Sequence, residues 1–196
     1  MWILFALGSA FFAGLTAVLA KCGIEHTNSH LATALRTIVV LVFSWIMVGI
    51  VGSFSSISTI THKTFLFLIL SGISTGASWL CYFKALQLGN INKVTAVDKT
   101  SVVLTIILSL IFFKESVTVY KIIGMIILTT GTYLMVEKKE DNKQTNNAWL
   151  LYAVFSVIFA SLTTILGKIG ITNIESNLGT AIRTSVVLIM SWLWSL

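Results

Sequence analysis

Apolar runs of about twenty residues, each long enough for a helix to cross about 30 Å of hydrocarbon, recur along the chain with short polar breaks between them. They predict seven spans: Trp2–Ala20, Leu31–Val51, Phe65–Leu88, Val94–Phe113, Val119–Val136, Trp149–Gly167 and Leu178–Leu196. Membrane strands fit poorly, because they would alternate in polarity over about ten residues. The first run, "MWILFALGSAFFAG", lacks a basic leader and a clear cleavage site, and reads as a span rather than a signal peptide.

The pattern repeats. Shifted by 147 positions, Trp2 meets Trp149, Ser9 meets Ser156, Thr16 meets Thr163, Lys21 meets Lys168 and Gly23 meets Gly170. "LATALRTIVVLVFSW" then meets "LGTAIRTSVVLIMSW", with ten of fifteen positions identical. Oily helices match in Leu and Val by chance, but not in Thr, Arg, Thr, Ser and Trp in register. One period holds five spans, an odd number, so the second copy enters the membrane from the opposite side. Inverted repeats of this kind place a solute path between their halves.

The predicted fold class is therefore all-α, a polytopic transmembrane helical bundle with an inverted five-helix repeat, about seven spans being present of an expected ten. Residues 1–137 form the first repeat, 138–147 a polar linker, and 148–196 two helices of the second repeat. Two full copies would need about 290 residues, so a truncated second copy is the expected reading.

Composition agrees with the pattern and narrows the function. Of 196 residues, 56% are hydrophobic and 10% charged, and the mean hydropathy is +0.94. That is too little charge for the polar shell of a soluble domain. The net charge of +6 is scattered over loops and helix ends, so no nucleic-acid partner is expected. His26 and His30 stand four apart, but their repeat counterparts are Asn173 and Asn177, and no metal is expected. No His-rich, paired-acid or nucleophile-plus-base cluster suggests an enzyme, and neither catalytic residues nor a cofactor are expected.

The candidate chemistry lies in polar side chains within the spans. Arg36 and Arg183 sit about five residues inside their spans, roughly 8 Å deep. Each either snorkels to the headgroups or faces the bundle and binds an anionic group. The fourth span carries Thr95, Asp98, Thr105 and Ser109 along one face, and Asp98 is the acid clearly inside a span. It could carry a coupling proton, hold an amine, or pair with Arg36 or a lysine; Lys99 points about 100° away and is expected to snorkel. The third span carries Ser71, Thr75, Ser78 and Tyr82 at helical spacing, with Trp79 beside them. Within it "GISTG" predicts close packing of Gly72 and Gly76 against a neighbouring helix. Glu115 is expected to close the fourth helix, and Gly124 and Gly131 share a face of the fifth. The candidate substrate-binding residues are thus Arg36, Asp98, Ser78, Trp79, Tyr82, Thr95 and Arg183.

The five-span repeat, the stretch "KALQLGNINKVTAVDKTSVVLTIILSLIFFKE" (84–115) and the stretch "YKIIGMIILTTGTYLMV" (120–136) resemble the EamA family of the drug/metabolite transporter superfamily. The resemblance implies ten helices in two inverted fives, a multi-pass protein of the bacterial inner membrane, and carriage of small polar or amphipathic solutes. Amino-acid export and drug efflux both occur within the family. It carries over no binding motif, and this chain departs from it by three helices and by lacking a proline at the head of the fourth span. Seven lysines follow odd-numbered spans and four follow even-numbered ones, which places the N-terminus outside, whereas the family places it in the cytoplasm, the orientation favoured here. The expected function is a secondary transporter of small metabolites working by alternating access, with a small-molecule substrate and the lipid bilayer as partners. The alternative is a non-transporting assembly module, a homodimer or a chain completed by a second membrane protein.

Overall fold

A computed structural model describes residues 2–24, 29–114, 118–135, 148–172 and 174–193. Seven α-helices follow the predicted spans: α1 (Trp2–Ile24), α2 (Ser29–Val51), α3 (His62–Leu88), α4 (Ile91–Phe113), α5 (Val119–Met135), α6 (Ala148–Ile171) and α7 (Ser176–Leu193). No strand occurs among the described residues. The helices α1, α2, α3, α4 and α6 are long and apolar enough to cross a membrane; α5 is shorter, and polar residues such as Thr180, Arg183, Thr184 and Ser185 make α7 less apolar. The expected linker, Glu115 and His26 lie outside the described residues.

One element is absent from the sequence reading, a 3-10 helix at Ser53–Thr59. Gly52 adopts a left-handed conformation (φ 74°) that only glycine takes at little cost, and this ends α2 and folds the chain back. Phe54 then stacks on Trp45, with ring centroids 6.2 Å apart and planes 17° from parallel.

The centre of the bundle is α3 packed on α6, the most extensive helix pair. Ser71 Oγ donates to the Thr163 carbonyl at 2.9 Å, and Ser78 Oγ to the Ser156 carbonyl at 3.1 Å. Thr75 Oγ1 donates to the Ser71 carbonyl at 2.7 Å and lies 3.3 Å from Thr163 Oγ1. Residue numbers rise on α3 as they fall on α6, so the two run antiparallel. Hydroxyls at this spacing are the usual adhesive between membrane helices, which share no hydrophobic driving force with lipid around them. The glycines of "GISTG" face α7: a Cβ on Gly72 would lie 2.8 Å from Val186 Cβ, and one on Gly76 2.9 Å from Met190 Sδ. The expected close packing of Gly72 and Gly76 is therefore with α7. Gly124 and Gly131 on α5 have open space around them among the described residues.

The repeat-related helices α2 and α7 also cross. Val48, near the end of α2, packs with Leu178 and Ala181 at the start of α7, so the two run antiparallel. A two-fold axis in the membrane plane gives this relation to equivalent helices. The matching pair α1 and α6 is unlike in its surroundings. Ser156 and Gly170 on α6 are buried under α3, whereas Ser9 and Thr16 on α1 are exposed, and Thr16 turns its hydroxyl to its own Phe12 carbonyl at 2.7 Å. None of the membrane-length window of α1 is buried. Its outward apolar side chains, such as Phe5 at 76% exposure, suit contact with lipid chains.

Three local devices fix the helix ends. Asn90 caps α4 by accepting from the Asn92 N–H at 2.9 Å. Lys21 Nζ donates to the Leu86 and Gly89 carbonyls at 2.6 and 3.4 Å, closing the C-terminus of α3. Glu175 precedes α7 and accepts from the N–H groups of Asn177 (2.9 Å) and Leu178 (3.1 Å), from Asn177 Nδ2 (2.8 Å), and from Ser53 Oγ (3.0 Å). Partial desolvation pushes its carboxyl up, but these four hydrogen bonds outweigh that and hold it below its ordinary 4.5. A depressed carboxyl stabilises the fold above its unfolded value and stops doing so as pH falls through its folded value. Glu175→Gln is therefore expected to cost about 0.5–1 kcal/mol at neutral pH, the low end for a lost cap at an exposed site. The difference in thermal midpoint between the two proteins should close as the pH falls below 4.5. A constant difference across that range would remove the carboxylate from this role.

Candidate functional site

A cavity of about 250 Å³ opens inside the bundle between α1, α2, α3, α4 and α6. Its walls carry Arg36 from α2, Trp79 and Tyr82 from α3, and Asp98 and Lys99 from α4. The α1 wall is small-residued (Ala13, Ala17, Ala20), apart from Thr16, so room is left where larger side chains would fill it. Each charged group lies about two turns from a helix end, roughly 10 Å down. The ends concerned are the starts of α2 and α4, and the close of α3, which brings Trp79 and Tyr82, lies at the same face of the bundle.

The guanidinium of Arg36 lies 4.3 Å from the Trp79 ring centroid and 5.7 Å from that of Phe83. Stacking on the negative face of an aromatic ring is worth about 2 kcal/mol when desolvated. Arg36 makes no ion pair or hydrogen bond among the described residues, although Tyr82 and Asp98 act on it through space. Asp98 accepts a long hydrogen bond of 3.4 Å from Ser156 Oγ and feels Lys99 and Arg36 electrostatically. The two opposite charges therefore face one space without closing on each other. Ser156 also meets Ser78, at 3.3 Å between hydroxyls, so a chain of side chains joins α3, α6 and α4 behind the cavity.

Of the seven residues the sequence singled out, Arg36, Ser78, Trp79, Tyr82 and Asp98 line this cavity. Thr95 neighbours Tyr82 but is not among the residues lining the cavity, and its Oγ1 is buried. Arg183 lies elsewhere. Its Nη1 is 3.0 Å from where a Cβ would stand on Gly167, close to Ser71, at the junction of α3, α6 and α7. Closely similar local sequences thus put two arginines in different surroundings. Lys99, expected to snorkel, borders the cavity and is exposed. The first span was expected to line the cavity, and the residues the sequence reading did not name are Ser156, Phe83 and the small side chains of that α1 wall. The matched pair Ser9 and Ser156 was a signal for the first of these, but did not say which copy packs on α3.

A bundle of apolar helices enclosing a charged, aromatic-lined cavity defines a class, the multi-pass membrane proteins. Within that class the chain belongs to the EamA-like transporter family, whose model matches residues 1–137. It is 42% identical over 134 residues to an uncharacterized transporter in the cobO 3′ region of a Sinorhizobium species, across 68% of this chain and 95% of that protein. It is 26% identical over 115 residues to the uncharacterized transporter YxxF of Bacillus subtilis, across 58% of this chain but only 37% of that protein. It is also 26% identical over 102 residues to the uncharacterized protein MJ1333.1 of Methanocaldococcus jannaschii, across 47% of this chain and 74% of that protein. No solved structure gives a match.

Proposed function

We propose that the chain is a secondary transporter of a small metabolite in a bacterial inner membrane, with the solute held in the Arg36–Asp98 cavity. One observation carries this reading: two opposite charges share an aromatic-lined space inside the bundle and leave each other unpaired. A buried charge without a partner is costly, so a site that keeps two of them apart is suited to a solute that pairs with them. Arg36 takes an anionic group through its forked donors, Asp98 takes an amine or a hydroxyl, and Trp79 and Tyr82 cover an apolar body. Alternating access, with two inverted halves rocking about the cavity, is the mechanism this reading proposes, and the antiparallel crossing of α2 and α7 supports it.

The test is binding to the full chain in lipid nanodiscs, followed by the quenching of tryptophan fluorescence that Trp79→Phe removes. Zwitterions, anions, amines and neutral solutes are titrated in turn. Asp98→Asn is expected to weaken solutes that carry an amine by about 10- to 100-fold, the effect of a lost charge-assisted hydrogen bond, and to leave purely anionic solutes unchanged. Equal affinity of Asp98→Asn and the parent for every class would take Asp98 out of the site.

A second reading has its own observation. Ser9 on α1 is exposed, while its counterpart Ser156 on α6 lies under α3. That favours an assembly module whose α1 is covered by a helix from a second copy or another membrane chain. A monomeric mass in native membranes, with Ser9→Cys open to lipid-phase thiol reagents, would reject it.

A further inference from the structure

We propose that the Ser53–Glu175 hydrogen bond is a latch that holds the bundle shut on the face opposite the cavity. The inference rests on the reading of the cavity as a solute site, since a latch matters only if something must leave past it.

The cavity and the latch lie at opposite ends. The cavity residues sit toward the close of α1 and α3 and the start of α2 and α4. Ser53 lies just beyond the close of α2, and Glu175 just before the start of α7, so both belong to the other face. There Ser53 Oγ donates to Glu175 Oε2 at 3.0 Å, joining positions 122 residues apart in the two repeats. Directly inward lies an apolar plug. Val48, Leu178 and Ala181 are all 0% exposed, with Trp45, Ile60 and Ile182 around them. A solute passing from the cavity to this face must part α2 from α7, and the tie spans that seam.

Three features make the tie a device rather than a chance contact. The left-handed turn at Gly52 folds the 3-10 segment back over the seam, and Phe54 anchors it by stacking on Trp45. Glu175 Oε2 is already fixed by the Asn177 and Leu178 N–H groups of the first turn of α7, so the oxygen is in place before Ser53 arrives as its third donor. And the bond lies at the water-facing end of the helices, where one hydrogen bond is weak enough to break in each cycle. Strong apolar burial behind a weak polar tie gives a closed state that is stable and still reversible.

The experiment uses the whole chain in oriented vesicles, with Cys22→Ser and Cys81→Ser removing the native thiols. Ala181→Cys reports the plug and Val94→Cys reports the buried core at the cavity end. A membrane-impermeant maleimide is applied from the latch face. Ser53→Ala should raise the labelling rate of Ala181→Cys by about two- to ten-fold, the range that one lost hydrogen bond gives, and leave Val94→Cys unchanged. Ser53→Thr, which restores the hydroxyl, should return the parent rate. An unchanged rate at Ala181→Cys overturns the latch, and so does an equal rise at both reporters, which would be general loosening. Solute quenching that needs Trp79 reads the cavity separately. Quenching with unaltered labelling rejects the latch alone, and altered labelling without any quenching rejects the solute site but keeps the latch.

Discussion

Arg36→Gln is expected to lower affinity for a solute with an anionic group by about 10- to 150-fold while leaving the bundle as stable as before. The two halves of that expectation come from different energies. Binding loses charge-assisted hydrogen bonds worth about 1.5–3 kcal/mol, because the guanidinium has donors to spare and no protein carboxylate takes them. Insertion gains, because an arginine inside a span costs about 2.5–3.5 kcal/mol that glutamine largely avoids. The stacking on Trp79 at 4.3 Å offsets part of this gain, so the net stability change is small. A lipid-headgroup anchor would behave in the opposite way, with binding intact and the depth or direction of α2 altered. Arg183→Gln supplies the contrast. That side chain is not among those lining the Arg36 cavity and is fitted against the surface left by Gly167, so its loss should reduce thermal stability and spare binding. Fluorescence titration and thermal unfolding of the two variants in nanodiscs make the comparison. Unaltered affinity in Arg36→Gln, with any stability, removes the arginine from the site.

The contrast between these arginines also marks what a sequence can carry. The helices were legible because unbroken apolar runs of span length leave one way to satisfy the backbone in lipid. Arg36 and Asp98 were legible for a related reason, since charge inside a span needs a purpose. The surroundings of each copy were not legible. "ATALRTIVVL" and "GTAIRTSVVL" are near twins, yet α3 covers α6 and no described helix covers α1 in the same way, so Arg36 reaches a cavity and Arg183 a packed junction. Thr95 failed for a finer reason. It lies on the polar stripe of α4 with Asp98 and beside Tyr82, but it is not among the residues that line the cavity, and helical spacing does not say how far along a stripe a cavity reaches. Lys99, expected to snorkel, is exposed and borders the cavity, which a helical wheel could not show because it gives only the direction of the Cβ and not the reach of a four-carbon stem. The 3-10 segment had no periodic signal, its Ser-rich run being shaped by Gly52 and by the ring of Trp45.

Gly72→Ala is expected to be the most damaging of the single-methyl changes on α3, and more so than Gly76→Ala four residues on. The spacing of the two glycines is that of a close helix crossing, and both face α7, which runs parallel to α3 here. What differs is the atom each would strike. A methyl on Gly72 would lie 2.9 Å from the Arg183 carbonyl oxygen and 2.8 Å from Val186 Cβ, the one backbone and the other the root of a branched side chain. Neither can turn aside, so the helices themselves must part. A methyl on Gly76 would lie 2.9 Å from Met190 Sδ, near the end of a flexible thioether that can swing to another rotamer. Overpacking that moves backbone costs about 1–3 kcal/mol, and the upper end is expected at Gly72 because the shift also uncovers Thr184 and Val187, which are buried on α7. At Gly76 the cost should stay under about 1 kcal/mol, the size of a rotamer change. Unfolding of both variants in mixed micelles gives the comparison, and equal losses would mean that α3 and α7 do not meet at this crossing. The same displacement has a functional reading. α3 carries Trp79 and Tyr82 two turns beyond Gly72, so a shifted α3 widens the cavity, and Gly72→Ala should weaken solute binding even where enough folded protein survives to measure it.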